Sequence, residues 1–167
     1  CDVCGHWFSI NQINMDDLYK ETYVKSTYGH SIHSKFQKII SLPTENSDNK
    51  QRINRIKAFS EIYFREEESI HLLDIGSGLG VFPYAVKQLG WDCTALDPDP
   101  SAAEHIRNDL KINTIEGDLF DINTSKKFNI VTLNKVLEHV YDPIKMLKKS
   151  TSFLREEGII YIEVPDG

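Results

Sequence analysis

From residue 70 onward the chain alternates short runs rich in apolar residues with longer stretches in which apolar positions recur every three or four residues. The runs at 70–75, 92–96, 111–115, 128–133 and 159–164 have the length of strands. The stretches between them have the marks of helices. One runs from Val81 to Leu89, where Pro83 is tolerated because it falls in the first turn. A second has Asp99 as its cap and Pro100 at its first position, with Ala102, Ala103, Ile106 and Leu110 along one side. A third starts at Asp142-Pro143, carries Ile144, Leu147, Thr151 and Leu154 on one face, and is expected to stop at Gly158. Upstream, Ile53, Ile56, Phe59, Ile62 and Tyr63 fall at helical spacing among charged residues over 51–64, which predicts an amphipathic helix packed on the strand-rich domain downstream. Residues 1–49 read as irregular polar chain, with turn formers at Tyr28-Gly29-His30 and a loop over 42–49.

Alternating strands and helices with short connections predict an α/β fold, a doubly wound, mostly parallel sheet covered on both faces. The expected division is an N-terminal segment, 1–50, and a ligand-binding domain, 51–167. In such sheets the ligand lies beyond the carboxyl ends of the strands. That rule selects Asp74 with the glycines after it, Asp97, Asp118 and Asn134.

The first strand runs into Gly76, Gly78 and Gly80, with Ser77 between the first two. Glycines at a strand-to-helix turn let backbone N–H groups approach a ligand, and the loop amides are expected to bind a carboxylate. A dinucleotide fingerprint puts its third glycine three residues after the second, where Val81 stands, and no phosphate loop ending in Gly-Lys-Ser/Thr occurs. Asp74, just before the glycines, suits a ligand bearing an ammonium or sulfonium charge. Asp97, at the tip of the second strand, is placed to accept both hydroxyl hydrogens of a ribose. Asp118, after the third, is placed to accept from an adenine amino group. Together they describe a pocket for a nucleoside with an amino-acid tail.

Composition narrows the partners. At 167 residues, 40% hydrophobic and 26% charged, the chain can hold one ordinary core. A net charge of -6 offers no footprint for nucleic acid, and no apolar run is long enough for a membrane span. Three cysteines do not make a disulfide framework, which points to the cytoplasm, and Cys93 within a strand reads as a core residue. The chain opens on Cys1 and ends just after a strand, so a piece of a longer polypeptide is expected, incomplete at its C-terminal end.

Over residues 70–164 the chain resembles the class I methyltransferases that use S-adenosylmethionine. The segments LLDIGSGLG (72–80), LDPDP (96–100), EGDLFD (116–121) and NKVLEHVYDP (134–143) carry the likeness, in order and at suitable intervals. The last is most similar to the branch of ubiquinone-pathway O-methyltransferases and sugar C-methyltransferases. The resemblance implies a Rossmann-like methyltransferase fold, S-adenosyl-L-methionine as cofactor, and methyl transfer to a small-molecule or carrier-bound sugar acceptor. By it Asp74, Gly76 and Gly78 border the methionine moiety, with Ser77 and Gly80 completing the loop. Asp97 holds the ribose, Pro98 lies against the adenine, Asp118 and Leu119 read its edge, and Asn134 flanks the reacting end. His139 is the candidate base, since imidazole titrates near neutral pH, and Glu138 orients it or lines the pocket.

Relatives in the sugar branch often begin with a zinc module of two Cys-x-x-Cys pairs. Cys1 and Cys4 resemble the second pair, so zinc is expected in the full-length protein only if an upstream pair exists. His30 and His33 offer an alternative set, but the 25 residues after Cys4 exceed a finger's usual spacing of about 12 to 15. Tyr19, Tyr23, Tyr28 and Phe36 are expected to pack on the sheet. Two rival functions remain: a cofactor-binding module without chemistry and, disfavoured by the glycine spacing, a nicotinamide dinucleotide domain.

Overall fold

The structure, a computed structural model, describes residues 32–165. Its elements are α1 (Ile32–Ile40), a 3-10 turn (Thr44–Asn46), α2 (Asp48–Tyr63), β1 (His71–Ile75), α3 (Val81–Gln88), β2 (Asp92–Asp97), α4 (Pro100–Asn108), β3 (Asn113–Glu116), β4 (Phe128–Asn134), a 3-10 turn (Leu137–His139), α5 (Pro143–Thr151) and β5 (Leu154–Glu163). The five strands form one parallel sheet in the order β3-β2-β1-β4-β5. The chain therefore winds outward from β1 through β2 to β3, then returns to lay β4 on the other side of β1.

Strand alternation divides the core. Leu72, Ala95 and Ile130 face a layer built from α1 to α4 through Phe36, Ile53, Ile56, Phe82, Val86 and Ile106. Leu73, Ile75, Leu96, Val131 and Leu133 face the opposite layer, where Met146 of α5 and Phe153 cover them. The expected caps are present. Asp99 accepts from the Ser101 and Ala102 amides, and Asp142 from that of Lys145, each with proline next in the first turn. Cys93 is buried, as expected, and Phe36, expected on the sheet, packs edge-to-face on Tyr84 of α3 and His105 of α4 in the helical layer over it. Cys1, Cys4, Tyr19, Tyr23, Tyr28 and His30 lie outside the described residues.

Five expectations change. Residues 32–40, read as irregular, form α1, because a nine-residue helix with one buried aromatic leaves a weak periodic signal. The expected boundary at residue 50 falls inside α2. That helix buries Arg52, Ile53, Ile56 and Ser60, whereas Phe59 and Tyr63 stack on each other at its surface and Ile62 is exposed. The stripe 53-56-60 meets the sheet, and 59-62-63 lies about one residue's rotation away from it. In α5 the buried residues are Met146 and Ser150, and Ile144 and Thr151 face outward. Gly158 does not end a helix. It lies inside β5, where the register to β4 shifts, and a Cβ there would stand 3.0 Å from the carbonyl oxygens of Arg155 and Phe128.

Candidate active site

The point where the winding reverses, between β1 and β4, is where a doubly wound sheet opens a crevice at its carboxyl edge. Asp74 of β1 pairs in register with Thr132 of β4, and Asn134 ends that strand two residues later on the same face. The Thr132 hydroxyl donates to Asp74 Oδ1 at 2.6 Å, and Asn134 Nδ2 donates to the same oxygen at 2.9 Å. Asp74 is almost wholly buried, and burial raises its pKa to about 6 against the opposing hydrogen bonds of Thr132, Ser77 and Asn134.

That shift has a sign for stability. The folded state holds the Asp74 proton more tightly than the unfolded chain, whose carboxyl titrates near 3.8. Its contribution is therefore full at low pH and is lost as pH rises to about 6. Asp74→Asn keeps the shape and an acceptor for Thr132 while removing the buried charge. We expect urea titrations to show it more stable than wild type by about 2 to 3 kcal/mol at pH 8, with the difference shrinking toward pH 4.

Asp97 stands at the end of β2, buried, with its carboxyl pKa raised by burial against hydrogen bonds from the Asp99 and Gly78 amides. The Gly78 N–H donates to Oδ2 at 2.6 Å and the Asp99 N–H to Oδ1 at 2.9 Å, so this carboxylate anchors the glycine loop. The Gly117 N–H donates to the Asp97 carbonyl at 3.0 Å, which brings the turn after β3 alongside. Asp118 is exposed there, with Oδ1 accepting from the Phe120 amide. The Leu119 side chain is packed into the core, and Pro98 is exposed on the turn after Asp97.

The glycine loop differs from expectation in one respect. The Gly76 and Ser77 amides donate to the Leu96 carbonyl, that of Gly78 to Asp97, and that of Gly80 to the Ser77 carbonyl. The first three amides fix the turn onto β2, that of Gly80 closes the loop on itself, and none of the four is free to bind a carboxylate. The glycines themselves are required: Gly76 and Gly80 have φ of 71° and 72°, and a Cβ on Gly76 would meet Val136 Cγ2 at 2.8 Å. Val136 is brought there by the turn after β4, in which Lys135 adopts a φ of 56° and its N–H donates to the Glu163 carbonyl at 2.7 Å.

Glu138 and His139 follow in a single 3-10 turn, both exposed, with His139 Nε2 3.9 Å from Glu138 Oε1. That separation is too long for a hydrogen bond, so Glu138 does not orient the imidazole in this arrangement. Three further residues were not singled out by the sequence. Thr132 was legible only as the one hydroxyl in an otherwise apolar strand centre. Buried Arg52 pairs with half-buried Glu163 across α2 and β5, with Arg55 as a second partner at 3.0 Å, and Arg52 foremost, with Tyr161 and Arg55, pulls the Glu163 pKa down to about 2. No group of three or more His, Cys, Asp or Glu side chains among the described residues could hold a metal, and His33 lies on α1. No helix among the described residues is long and apolar enough to cross a membrane.

Comparison with known proteins fits this geometry. A family model described as a methyltransferase domain matches residues 45–167. A ubiquinone biosynthesis O-methyltransferase of Haemophilus ducreyi is 29% identical over 102 residues, covering 54% of this chain and 43% of that protein. A tRNA (uracil(54)-C(5))-methyltransferase of Pyrococcus horikoshii is 27% identical over 166 residues, covering 93% of this chain and 38% of the relative. The chain thus spans less than half the length of these relatives. The crystal structure of the plantazolicin methyltransferase BpumL, in complex with a monoazolic desmethylPZN analog and SAH, shares the fold. Its TM-score is 0.62 at 21% identity, over 89% of this chain and 59% of that one.

Proposed function

Because the chain belongs to the methyltransferase-domain family, we propose that it transfers a methyl group from S-adenosylmethionine to a small-molecule acceptor. The observation that carries the reading is the Asp97 carboxylate at the tip of β2, locked to Gly78 of the glycine loop, with buried Asp74 on the neighbouring strand β1. The residues fit that cofactor: a carboxylate for ribose hydroxyls, an exposed acceptor at Asp118 for an amino group, and a buried negative charge at Asp74 for a cationic tail. Bound there, S-adenosylmethionine supplies a methyl group on positively charged sulfur.

The chain's own residues then act by placement. Asp97 and Asp118 hold the nucleoside, Val136 closes over Gly76, and Asn134 ends the strand that leads into the acceptor side. His139 takes the proton from an oxygen or acidic-carbon acceptor as the new bond forms. The finer reading, a carrier-bound sugar acceptor with zinc held at Cys1 and Cys4, draws its support from the resemblance of that cysteine pair alone. The relatives' names include both ubiquinone-pathway and tRNA enzymes. The acidic net charge supports the small-molecule class, and the cysteine usage supports a cytoplasmic site of action.

The test is transfer of tritium from methyl-labelled S-adenosylmethionine to a phenol, an amine-bearing peptide and a nucleotide sugar, with wild type and His139→Ala. Labelling of one probe by wild type, reduced tenfold or more in the variant, is expected. Binding of S-adenosylhomocysteine with no labelling of any probe would favour the non-catalytic module instead.

A further inference from the structure

The amino ends of the strands, at the opposite edge of the sheet from the crevice, hold an arrangement that methyl transfer does not use. Ser69 and His71 stand two residues apart where the chain enters β1, and the parallel register sets Asp92, the first residue of β2, beside His71. The backbone there is fixed. The His71 N–H donates to Asn129 Oδ1 at 2.9 Å, and the Asp92 N–H donates to the Ile70 carbonyl at 2.9 Å. The side chains meet in series: His71 Nδ1 lies 2.8 Å from Asp92 Oδ2, and Nε2 lies 3.2 Å from Ser69 Oγ. A carboxylate can only accept, so Nδ1 carries the proton of the neutral ring and Nε2 offers its lone pair to the serine hydroxyl. Partial burial raises the Asp92 pKa, but the bonds from His71 and Lys126 outweigh it and hold the carboxyl below its ordinary value, ionised at neutral pH. Lys126 Nζ is 3.1 Å from Oδ2 and Asn113 Nδ2 is 3.4 Å from Oδ1, so the carboxylate is oriented in turn.

A hydroxyl, an imidazole and a carboxylate in this order make a nucleophile, its base and the group that fixes the base's tautomer, a constellation recognised by geometry whatever the fold. Two more observations favour chemistry over a passive surface network. The His71 and Asp92 side chains are 38% and 36% exposed, and Ser69 is exposed, so a substrate can reach the hydroxyl. The Ser69 N–H has no acceptor among the described residues, which leaves a donor on the nucleophile itself for an oxyanion.

We propose that Ser69, His71 and Asp92 form a second site, which hydrolyses short-chain esters. Ser69 Oγ attacks the ester carbonyl carbon as His71 Nε2 takes the hydroxyl proton. The carbon–oxygen bond to the alcohol then breaks, and the imidazolium gives that proton to the leaving oxygen. Water, deprotonated by the same nitrogen, attacks the acyl-serine, and the carboxylic acid departs with Ser69 restored. Asp92 is a positioning residue that acts through the imidazole. A site on an open edge selects little about the acyl chain, so small esters with a good leaving group are its class.

The experiment is hydrolysis of 4-nitrophenyl acetate by the purified chain, joined to peptide mass spectrometry after treatment with diisopropyl fluorophosphate. Wild type is expected to hydrolyse the ester at least about tenfold faster than free imidazole at equal concentration, and to carry the phosphoryl adduct on Ser69. Ser69→Ala and His71→Gln should each lower the rate about tenfold with circular dichroism spectra unchanged, and Ser69→Ala should take no adduct. Asp92→Asn should lower kcat about tenfold with KM unchanged, and Asp92→Glu should restore part of it. A rate that survives Ser69→Ala while His71→Gln abolishes it would mean that the imidazole attacks the ester itself, which overturns the serine nucleophile. A wild type no faster than imidazole, or one that stays unlabelled at Ser69, overturns the site.

Discussion

Asp97→Ala is expected to weaken S-adenosylhomocysteine binding by at least about 100-fold, measured by calorimetry, with the circular dichroism spectrum unchanged. The carboxylate stands ready for two ribose hydroxyls, and each charge-assisted hydrogen bond contributes on the order of 1.5 to 3 kcal/mol, while a tenfold change in affinity takes about 1.4. The same group holds the Gly78 amide at 2.6 Å, so its loss also frees the glycine loop. Asp97→Asn is the informative companion. Whichever way its amide turns, an NH2 group faces the N–H of Gly78 or of Asp99, two donors opposed. It should therefore fall nearly as far as alanine despite its matching shape. A loss below fivefold for both variants would remove Asp97 from the nucleoside site.

Gly80→Ala is expected to cost about 3 kcal/mol of stability, read as a lower midpoint in urea unfolding. A Cβ at this position would stand 2.7 Å from Ile106 Cγ1 and 2.8 Å from Leu110 Cδ1, and both side chains are buried between α4 and the sheet. Overpacking of this kind costs roughly 1 to 3 kcal/mol, and the left-handed backbone at φ 72° adds about 1 more for an L-residue. Gly90→Ala is the control. It shares a positive φ, 80°, yet nothing lies within 4 Å of its Cβ, so about 1 kcal/mol is expected. Equal losses at the two positions would mean that backbone conformation alone, without the packing against Ile106 and Leu110, explains the glycine.

The parts of the fold legible in the sequence were those in which local chemistry and tertiary placement agree. Asp99-Pro100 and Asp142-Pro143 start helices because a capping carboxylate and a fixed φ act within one turn. Asp74, Asp97 and Asn134 were found because a parallel sheet places strand ends together whatever the intervening sequence. The misread faces of α2 and α5 share one physical source: which side of a helix meets the core depends on how it docks. Periodicity over 51–64 picked out Phe59 and Ile62, while docking buried Arg52 and Ser60. The loop amides had the same problem. Three glycines announce close approach, but whether their N–H groups meet a ligand or the Leu96 carbonyl depends on how the turn folds back on β2. The Arg52 and Glu163 pair spans 111 residues and leaves no local trace.

The central claim is that this crevice takes the adenosyl amino-acid methyl donor. The direct measurement is a pair of calorimetric titrations of the purified protein, one with S-adenosylhomocysteine and one with NADH. The expected result is 1:1 binding of S-adenosylhomocysteine with a dissociation constant on the order of micromolar, about 8 kcal/mol of binding free energy, and no saturable heat from NADH. Saturable NADH binding with none of S-adenosylhomocysteine would contradict it.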